Sequence, residues 1–170
     1  MLTMAKKGKY IYDWPRPTVS VDAVVFAFFP PPRLASGDAG AGESKAKLLL
    51  IKRRYEPFKG QWALPGGFVD IDEELEDAVA RELAEETGLA GVRLEQMHTF
   101  GNVGRDPRGR QITIAFMGIV RPPAKRQNKI KAGDDAAEAR WFDIEKLPKD
   151  MGFDHEKIAK FAIEKLKTII

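Results

Sequence analysis

The sequence predicts an α+β fold, an α/β/α sandwich in which helices cover a mixed β-sheet. Two patterns predict this class: strand-like segments outnumber helical ones, and the helical segments fall between strands and at the end of the chain. The length of 170 residues suits one domain with a substantial core. We therefore expect a single domain over residues 18–170, preceded by an N-terminal extension over residues 1–17.

Strands are predicted from short runs rich in apolar and β-branched residues. They cover residues 18–29, 47–53, 92–100, 111–120 and about 139–142. Three prolines end the first strand, and the Gly-, Ala- and Ser-rich stretch after them predicts a flexible insertion at about residues 30–46, a tolerated surface excursion. Asp106, Pro107 and Gly109 hold positions that a type I turn favours, so a turn should lie between the third and fourth strands.

The first predicted helix covers about residues 73–87. Asp70 or Asp72 can supply its N-cap, and Gly88 follows its last turn.

The second predicted helix covers residues 154–170, with Asp154 as N-cap and His155 in its first turn. The alternative for Asp154 and His155 is a catalytic dyad. Its apolar face should comprise Ile158, Phe161, Ala162, Lys165, Leu166 and Ile169.

Composition excludes several classes of function. Lys and Arg number 28 and Asp and Glu 25, so the formal net charge of +3 is too small to argue for nucleic acid as a partner. The absence of Cys excludes a disulfide framework, a Cys-based zinc site and a cysteine nucleophile, and it favours the reducing cytosol. No apolar run approaches the ~18 residues of a membrane-spanning helix. We therefore expect a cytoplasmic protein without a membrane or nucleic-acid partner.

The first helix carries acidic residues on its apolar face. At 100° per residue, Glu82 and Glu86 fall inside the buried stripe that Val79 marks, and Glu85 flanks it. Desolvating an ion is costly unless a counter-charge or metal offsets it. Like charges at this spacing repel, and a hard divalent cation such as Mg²⁺ or Mn²⁺ would reverse the sign of that interaction. The alternative is a solvated acidic run paired with Arg81 and neighbouring lysines.

The residues around this helix form a spaced pattern. From Gly67 the chain has five residues, Glu73, seven residues, Arg81-Glu82-Leu83, one residue, Glu85-Glu86, one residue, and Gly88-Leu89. This pattern resembles the Nudix box, G-x5-E-x7-R-E-U-x-E-E-x-G-U with U apolar, at every fixed position. From average residue usage, such a match arises by chance about once in 10⁸ windows or less. The chain thus resembles the Nudix hydrolases over residues 18 to about 147.

The resemblance implies a hydrolase that cleaves a nucleoside diphosphate linked to another moiety, with water and Mg²⁺ or Mn²⁺. By position, Glu82 and Glu86 look like the principal metal ligands, and Glu85 looks like a further ligand or the base that activates water. The carbonyl of Gly66 or Gly67 would complete the metal shell. Such metal ions neutralise phosphate charge, orient the reacting groups and lower the pKa of bound water.

Other residues of the box look structural. Glu73 and Arg81 look like the pair that ties the preceding loop to the helix, and for Arg81 this role weighs at least as much as a phosphate contact. Gly67 and Gly88 would shape the backbone, and Gly66 and Gly67 would let it approach metal or phosphate closely.

The general base stays open between two regions of the chain. Asp134, Asp135 and Glu138 form an acidic loop before the last strand, and in this fold such a loop can reach the metal centre. Glu138 or Asp135 therefore competes with Glu85 for the role. The alternative is an acidic turn that caps the strand.

Features outside the box look like those of the ADP-ribose pyrophosphatase branch. They are Arg16-Pro17, Asp22, WALPGGFVD at 62–70, RDPRGR at 105–110, the run from Asp134-Asp135 to Trp141-Phe142, and Phe153-Asp154-His155. The resemblance implies that ADP-ribose is split into AMP and ribose 5-phosphate. An alternative is a hydrolase of oxidised nucleoside triphosphates or other sugar nucleotides.

A second alternative is a non-catalytic regulator that senses ADP-ribose. Relatives of this kind carry a DNA-binding winged helix after the Nudix domain. The stretch after Pro148 is long enough for one helix only, and the carboxylates of the box are intact. We therefore expect hydrolysis and no DNA binding.

Candidate substrate contacts are mainly arginines, because a guanidinium group can grip phosphate bidentately. The candidates are Arg105, Arg108 and Arg110 on the predicted turn, Arg53 and Arg54 at a strand end, and Gly67 and Phe68 in the glycine loop. Strand alternation should turn one of Arg53 and Arg54 inward and the other outward. For the turn arginines, the alternative is a solvated hairpin tip.

Aromatic residues of the N-terminal extension have two possible roles. Tyr10, Tyr12 and Trp14 would either stack on adenine or cover a partner subunit. Because Nudix proteins often exchange N-terminal segments in dimers, the resemblance implies a homodimer.

Overall fold

The computed structural model describes residues 12–29, 45–121, 130, 132–133 and 136–169. Within these ranges the elements are, in order, β1 (Thr18–Phe28), β2 (Ala46–Arg53), β3 (Trp62–Ala63), β4 (Gly66–Phe68), α1 (Leu75–Thr87), β5 (Leu94–Phe100), β6 (Gln111–Val120), β7 (Ala136–Asp143) and α2 (His155–Ile169). Most of the predicted insertion, residues 30–44, and the candidate base Asp135 lie outside them. Neither helix is long and apolar enough to cross a membrane.

Strand β1 lies at the centre of a mixed sheet. One edge of β1 pairs in parallel with β6 along its length, and β5 extends the sheet beyond β6. The other edge pairs antiparallel with two strands in turn, with β4 at 20–22 and with β2 at 26–28. Strands β3 and β7 pair with β2. The glycine-rich β4 is therefore fixed directly against the central strand.

The two helices cover opposite faces of this sheet. Successive side chains of a strand point to opposite faces, and β1 follows this rule. One face of the sheet packs against α1. The core between them contains Val21, Ala23, Val25, Leu49, Ala78, Val79, Leu83 and Phe116. The other forms a core with α2 from Val24, Phe26, Leu48, Leu50, Ile158, Ala162 and Leu166. The predicted α/β/α sandwich is confirmed.

Helix α1 begins later than predicted, and neither Asp70 nor Asp72 caps it. The N-cap is Glu74, without a side-chain cap hydrogen bond. The loop before the helix is held instead by Glu73, whose carboxylate accepts the N–H of Asp70 (3.2 Å). The predicted end is confirmed, since Gly88 adopts a left-handed conformation with φ of 70° that a glycine accommodates without strain.

Other departures from the predictions have tertiary causes. Strands β3 and β4 were not predicted, because two or three residues carry no periodic pattern and pair only through contacts with β2 and β1. Strand β7 is longer than residues 139–142, because it pairs with β2 along its length. Phe161 and Ile169 of α2 are exposed, because the helix buries a narrower stripe that includes Ala159. The predicted turn is confirmed by the hydrogen bond from Gly109 N–H to Asp106 O (3.4 Å).

Leu83 should be a strong determinant of stability, because its side chain is 1% exposed and packs α1 on the sheet. We expect Leu83→Ala to lower the free energy of unfolding by about 2–5 kcal/mol through lost burial and a residual cavity. Ala80 is exposed on the same helix, so Ala80→Gln should change it by less than about 0.5 kcal/mol. Urea denaturation of the three proteins measures the difference, and equal midpoints would contradict the described packing.

Candidate active site

The described residues form a cleft of about 680 Å³ beside strand β4. Its lining unites most of the residues that the sequence singled out: Gly66, Gly67, Phe68, Arg81, Glu82, Glu86, Arg53, Arg54, Arg105 and Arg108. Glu85, Glu138 and Arg110 are not part of this lining. One cleft thus brings the acidic helix, the glycine loop and four candidate arginines together.

Glu82 and Glu86 form the acidic side of the cleft. The wheel position that predicted their burial is confirmed, since the Glu82 side chain is 13% exposed and Glu86 is 8% exposed. Glu86 Oε2 accepts the N–H of Gly66 (3.0 Å). Burial raises the pKa of Glu82, although its hydrogen bond with Arg81 opposes the shift. Both carboxyl groups therefore lie at the edge of water and protein, where a cation would stabilise their charge.

The glycine loop allows the backbone to lie against these carboxyl groups. A Cβ atom at Gly67 would collide with the Glu82 carboxylate, and one at Gly66 would collide with the backbone of Val21 and lie 2.6 Å from Asp22 Oδ1. A larger residue at Gly67 would push the loop away from Glu82, and one at Gly66 would push it away from strand β1. Close approach, and not a turn alone, therefore requires these two glycines.

Arg81 joins the loop to the helix. Its guanidinium donates to both oxygens of Glu73 (2.7 and 2.8 Å), to Glu82 Oε1 (2.8 Å) and to the carbonyl of Phe68 (3.3 Å). These bonds lower the pKa of Glu73 and raise that of Arg81. Arg81 also donates to Glu85 Oε2 (3.3 Å), which lies on the exposed side of the helix. The hydrogen-bond donors of this guanidinium are therefore occupied by three carboxylates and one carbonyl of the protein.

The donor set beside the loop fits a hard divalent cation in its chemistry. Carboxylate and carbonyl oxygens are the ligands that Mg²⁺ and Mn²⁺ prefer, and Glu82, Glu86 and the Gly66 carbonyl supply such oxygens. Within the described ranges, no three His, Asp or Glu side chains are gathered in the arrangement of a metal site. Glu85 stands apart because Arg81 lies between it and Glu82.

Arg53, Arg54 and Arg108 form the basic side of the cleft. Arg53 donates to the Pro57 carbonyl (2.8 Å), and burial lowers its pKa. Arg54 donates to the Ala136 carbonyl (3.0 Å). The expected inward and outward alternation of Arg53 and Arg54 does not hold, since β2 ends at Arg53 and both line the cleft.

Aromatic rings lie among these cations. The Arg108 guanidinium is 4.9 Å from the ring centre of Phe68 and 4.8 Å from that of Phe153, and Arg53 is 4.9 Å from Phe153. Arg108 is also ion-paired with Asp106 (2.7 Å). Alternating rings and guanidinium groups suit both a flat base and phosphate.

The other two turn arginines have protein partners. Arg105 forms a bidentate ion pair with Asp154 (2.6 and 3.0 Å) and donates to Thr113, which ties the turn to the start of α2. Arg110 donates to the carbonyl of Gly101 (2.7 Å) on the exposed side. Glu138 is exposed on β7 opposite Lys52. The position of Asp135 is outside the described residues.

Sequence reasoning missed most of the polar floor of the cleft. Ser20, Gln111 and Thr113 bond to one another across β1 and β6, with Ser20 Oγ 2.7 Å from both partners. Only the tertiary pairing of these strands unites them, so no local signal could find the set. Asp22 had a signal, an acid in the middle of an apolar strand, but nothing in the sequence shows what it faces.

Asp22 and His155 lie together at this floor. The Leu64 N–H donates to His155 Nδ1 (2.9 Å), so the proton of the neutral ring is on Nε2, 3.6 Å from Asp22 Oδ2. Burial lowers the pKa of His155 to about 3 and raises that of Asp22 to about 7. His155 begins α2 as the sequence predicted, but its ring is buried and faces the cleft.

Comparisons with known proteins agree with this geometry. The model of the NUDIX domain matches residues 39–161. An ADP-ribose pyrophosphatase of Methanocaldococcus jannaschii is 49% identical over 121 residues, which cover 71% of this chain and 68% of the relative. The ADPR responsive transcriptional repressor NtrR of Acinetobacter baylyi is 32% identical over 159 residues, which cover 92% of this chain and only 57% of the repressor.

Among solved structures, the NUDIX domain of Shewanella oneidensis NrtR complexed with ADP ribose matches with a TM-score of 0.71 and 30% identity, covering 90% of each chain. The fold and the acidic, glycine-lined cleft thus define a Nudix domain, and the chain belongs to the Nudix hydrolase family. Within that family it resembles the ADP-ribose pyrophosphatase branch.

The burial of His155 predicts a pH dependence of stability. Between about pH 6.5 and pH 3, the unfolded chain protonates this residue while the folded chain keeps it neutral, so stability falls as pH falls. His155→Asn retains an acceptor for the Leu64 N–H and removes the titrating ring. We expect the free energy of unfolding of the native protein, relative to this variant, to fall by about 1.4 kcal/mol per pH unit between pH 6 and 4. Urea unfolding at several pH values measures it, and parallel curves would refute the assignment.

Proposed function

We propose that the protein hydrolyses the pyrophosphate bond of ADP-ribose and releases AMP and ribose 5-phosphate. The observation that carries the proposal is the division of one cleft into an acidic side, Glu82 and Glu86, and a basic side, Arg53, Arg54 and Arg108. A pyrophosphate with a metal ion needs both kinds of charge at close range. The identity with an ADP-ribose pyrophosphatase supports the choice of substrate.

In this proposal Glu82, Glu86 and the carbonyl of Gly66 hold Mg²⁺ or Mn²⁺, with Glu85 as a further ligand. When bound, the metal supplies charge neutralisation and a lowered pKa for bound water. The residues of the chain position the substrate. Gly67 leaves room for the phosphates beside the helix, and the arginines orient them. Phe68 offers a flat surface for the base.

Glu85 and a carboxylate of the β7 segment, Glu138 or Asp135, compete as the base that takes the proton from water. Glu85 follows the acidic pair on α1 but is held by Arg81 on the exposed side. Glu138 is exposed on β7 and is not part of the cleft lining, and Asp135 lies outside the described residues. The pH profile of kcat in Glu85→Gln and Glu138→Gln separates the two, because only loss of the base removes the acidic limb.

A second function, ADP-ribose sensing without hydrolysis, is supported by two observations. The match to the repressor covers 92% of this chain, and the NrtR domain with ADP ribose shares the fold. In a sensor of this kind, ADP-ribose binds and no AMP is released.

We further propose a homodimer in the cytoplasm, with a nucleotide and not a nucleic acid as partner. Trp14 is 80% exposed and Tyr12 is 42% exposed in the N-terminal extension, which suits a surface that a second subunit covers. Analytical ultracentrifugation tests the dimer: a monomer at micromolar concentration would contradict it.

A substrate panel with Mg²⁺ tests the main proposal. ADP-ribose should give AMP and ribose 5-phosphate at a higher kcat/KM than other sugar nucleotides or an 8-oxo nucleoside triphosphate. Chromatography of the products measures the release. A preference for the 8-oxo nucleotide would overturn the substrate, and calorimetric binding of ADP-ribose without release would favour the sensor.

Glu86→Gln tests the role of the acidic side. The amide keeps an acceptor for the Gly66 N–H but removes the charge, so we expect the fold to persist and kcat to fall by about 100-fold or more. The control is Glu76→Gln, an exposed residue in the first turn of the same helix. Product release and circular dichroism measure rate and fold, and unchanged turnover in Glu86→Gln would exclude it as a ligand.

A further inference from the structure

Asp22 is an exception among the buried polar side chains of the described residues. Its Oδ2 is the single buried side-chain oxygen or nitrogen in those ranges without a hydrogen-bond partner. Neighbouring groups on the floor are satisfied by one another: Ser20 bonds Gln111 and Thr113, and Asp106 bonds Arg108. An acceptor that is buried without a partner costs free energy. This oxygen therefore needs a donor, from the protein or from a ligand.

Among the described residues, no arginine or lysine forms an ion pair with Asp22, and burial keeps its neighbour His155 neutral by lowering the pKa of the ring. Its side chain is 7% exposed, and the cations whose charge reaches it are Arg105 and Arg108. Arg105 is ion-paired with Asp154 (2.6 Å) and Arg108 with Asp106 (2.7 Å). Buried carboxylates in proteins are normally paired. The group therefore has unused capacity to accept, and it lines the cleft.

His155 lies beside this carboxyl group in the lining of the cleft. Because the Leu64 N–H occupies Nδ1, the ring presents Nε2–H to Asp22 Oδ2 across 3.6 Å. The torsion that rotates an aspartate carboxyl group is soft. A small rotation brings one oxygen to His155 and leaves the other, beside Gly66, for a donor in the cleft.

The chemistry of the floor restricts this donor. A carboxyl group beside Asp154 and Glu82 repels phosphate, which the arginines attract instead. Apart from the metal ion, the groups of a bound nucleotide sugar that can donate a hydrogen bond to this carboxyl group are uncharged, and its sugars carry several hydroxyl groups. We propose that Asp22 reads a sugar hydroxyl of the bound nucleotide by accepting its hydrogen bond, with His155 as the positioning residue. This proposal rests on the proposed function for the identity of the ligand.

The test is a double-mutant cycle in which one change is made in the protein and the other in the substrate. ADP-ribose is compared with analogues that each lack one hydroxyl of the proximal or the terminal ribose, in the native protein and in Asp22→Ala. We expect one analogue to lose about 10- to 100-fold in kcat/KM with the native protein. With Asp22→Ala, ADP-ribose and that analogue should differ by less than about twofold. Equal losses in both proteins for every analogue would overturn the proposal.

A base amine is the other uncharged donor of the ligand, and inosine diphosphate ribose tests it. This substrate lacks the amine of adenine and keeps every sugar hydroxyl. If kcat/KM for this substrate is lower than for ADP-ribose in the native protein but not in Asp22→Ala, Asp22 contacts the base, and the assignment to a sugar hydroxyl is wrong. An equal loss in the two proteins would support the sugar.

Three further variants distinguish a role of Asp22 and His155 in recognising the sugar hydroxyl from a role in folding. Asp22→Asn keeps the size of the side chain and replaces Asp22→Ala if that variant does not fold. At a pH above the value of about 7 to which burial raises the pKa of Asp22, the discrimination of Asp22→Asn should be about tenfold lower as charge assistance is lost. His155→Asn keeps the bond to Leu64 and should lower the discrimination through KM more than through kcat. Glu156→Gln, an exposed neighbour on α2, should leave the discrimination unchanged. Loss of discrimination in Glu156→Gln would show that the effect is not specific.

Calorimetry distinguishes failure of this inference from failure of the proposed function. Dissociation constants of ADP-ribose and its deoxy analogues are measured in EDTA, where turnover is absent. A protein that binds with Asp22-dependent discrimination but releases no AMP would refute hydrolysis and support the inference. A protein that releases AMP without Asp22-dependent discrimination would refute the inference alone.

Discussion

The structure depends on carboxylates that lie on the apolar face of a helix. Glu82 and Glu86 are placed there by the 3.6-residue period of α1, on the stripe that must also pack on the sheet. Their charge therefore has to be compensated locally. The Gly66 N–H and the Arg81 guanidinium provide this compensation, and each fixes part of the loop before the helix. The glycines follow from the same constraint, since only a backbone without Cβ can come so close.

This constraint also explains how opposite charges share one cleft. The acidic side is built on a helix and the basic side on a strand end and a turn, and β1 lies between them. Several cations are restrained by protein contacts: Arg108 by Asp106 and Arg105 by Asp154. Restrained side chains lose less entropy when they bind, so a cleft of this kind is preorganised for a ligand with charged and uncharged parts.

The sequence was sufficient for the elements whose signals are local. The period of α1, the spacing of the acidic box and the left-handed Gly88 can all be read along the chain, and the structure agrees with them. The short strands β3 and β4 could not be read, because their pairing comes from β2 and β1. The same applies to the floor: Asp22 and His155 are far apart in sequence and meet only because α2 returns to the central strand. Glu85 was predicted beside its neighbours, but the wheel could not show that Arg81 separates them.

The parallel pairing of β1 with β6 has a consequence for how the cleft is assembled. Thr18 lies opposite Gln111, so the central pair of the sheet joins segments that are 93 residues apart in sequence. Contacts of such large sequence separation form late and slow the folding of a domain. Ser20, Thr113 and Gln111 meet across this pair, so a chain that ends before β6 lacks this part of the floor. Formation of the binding site is therefore coupled to completion of the sheet, and the floor should exchange its amide hydrogens only through global unfolding.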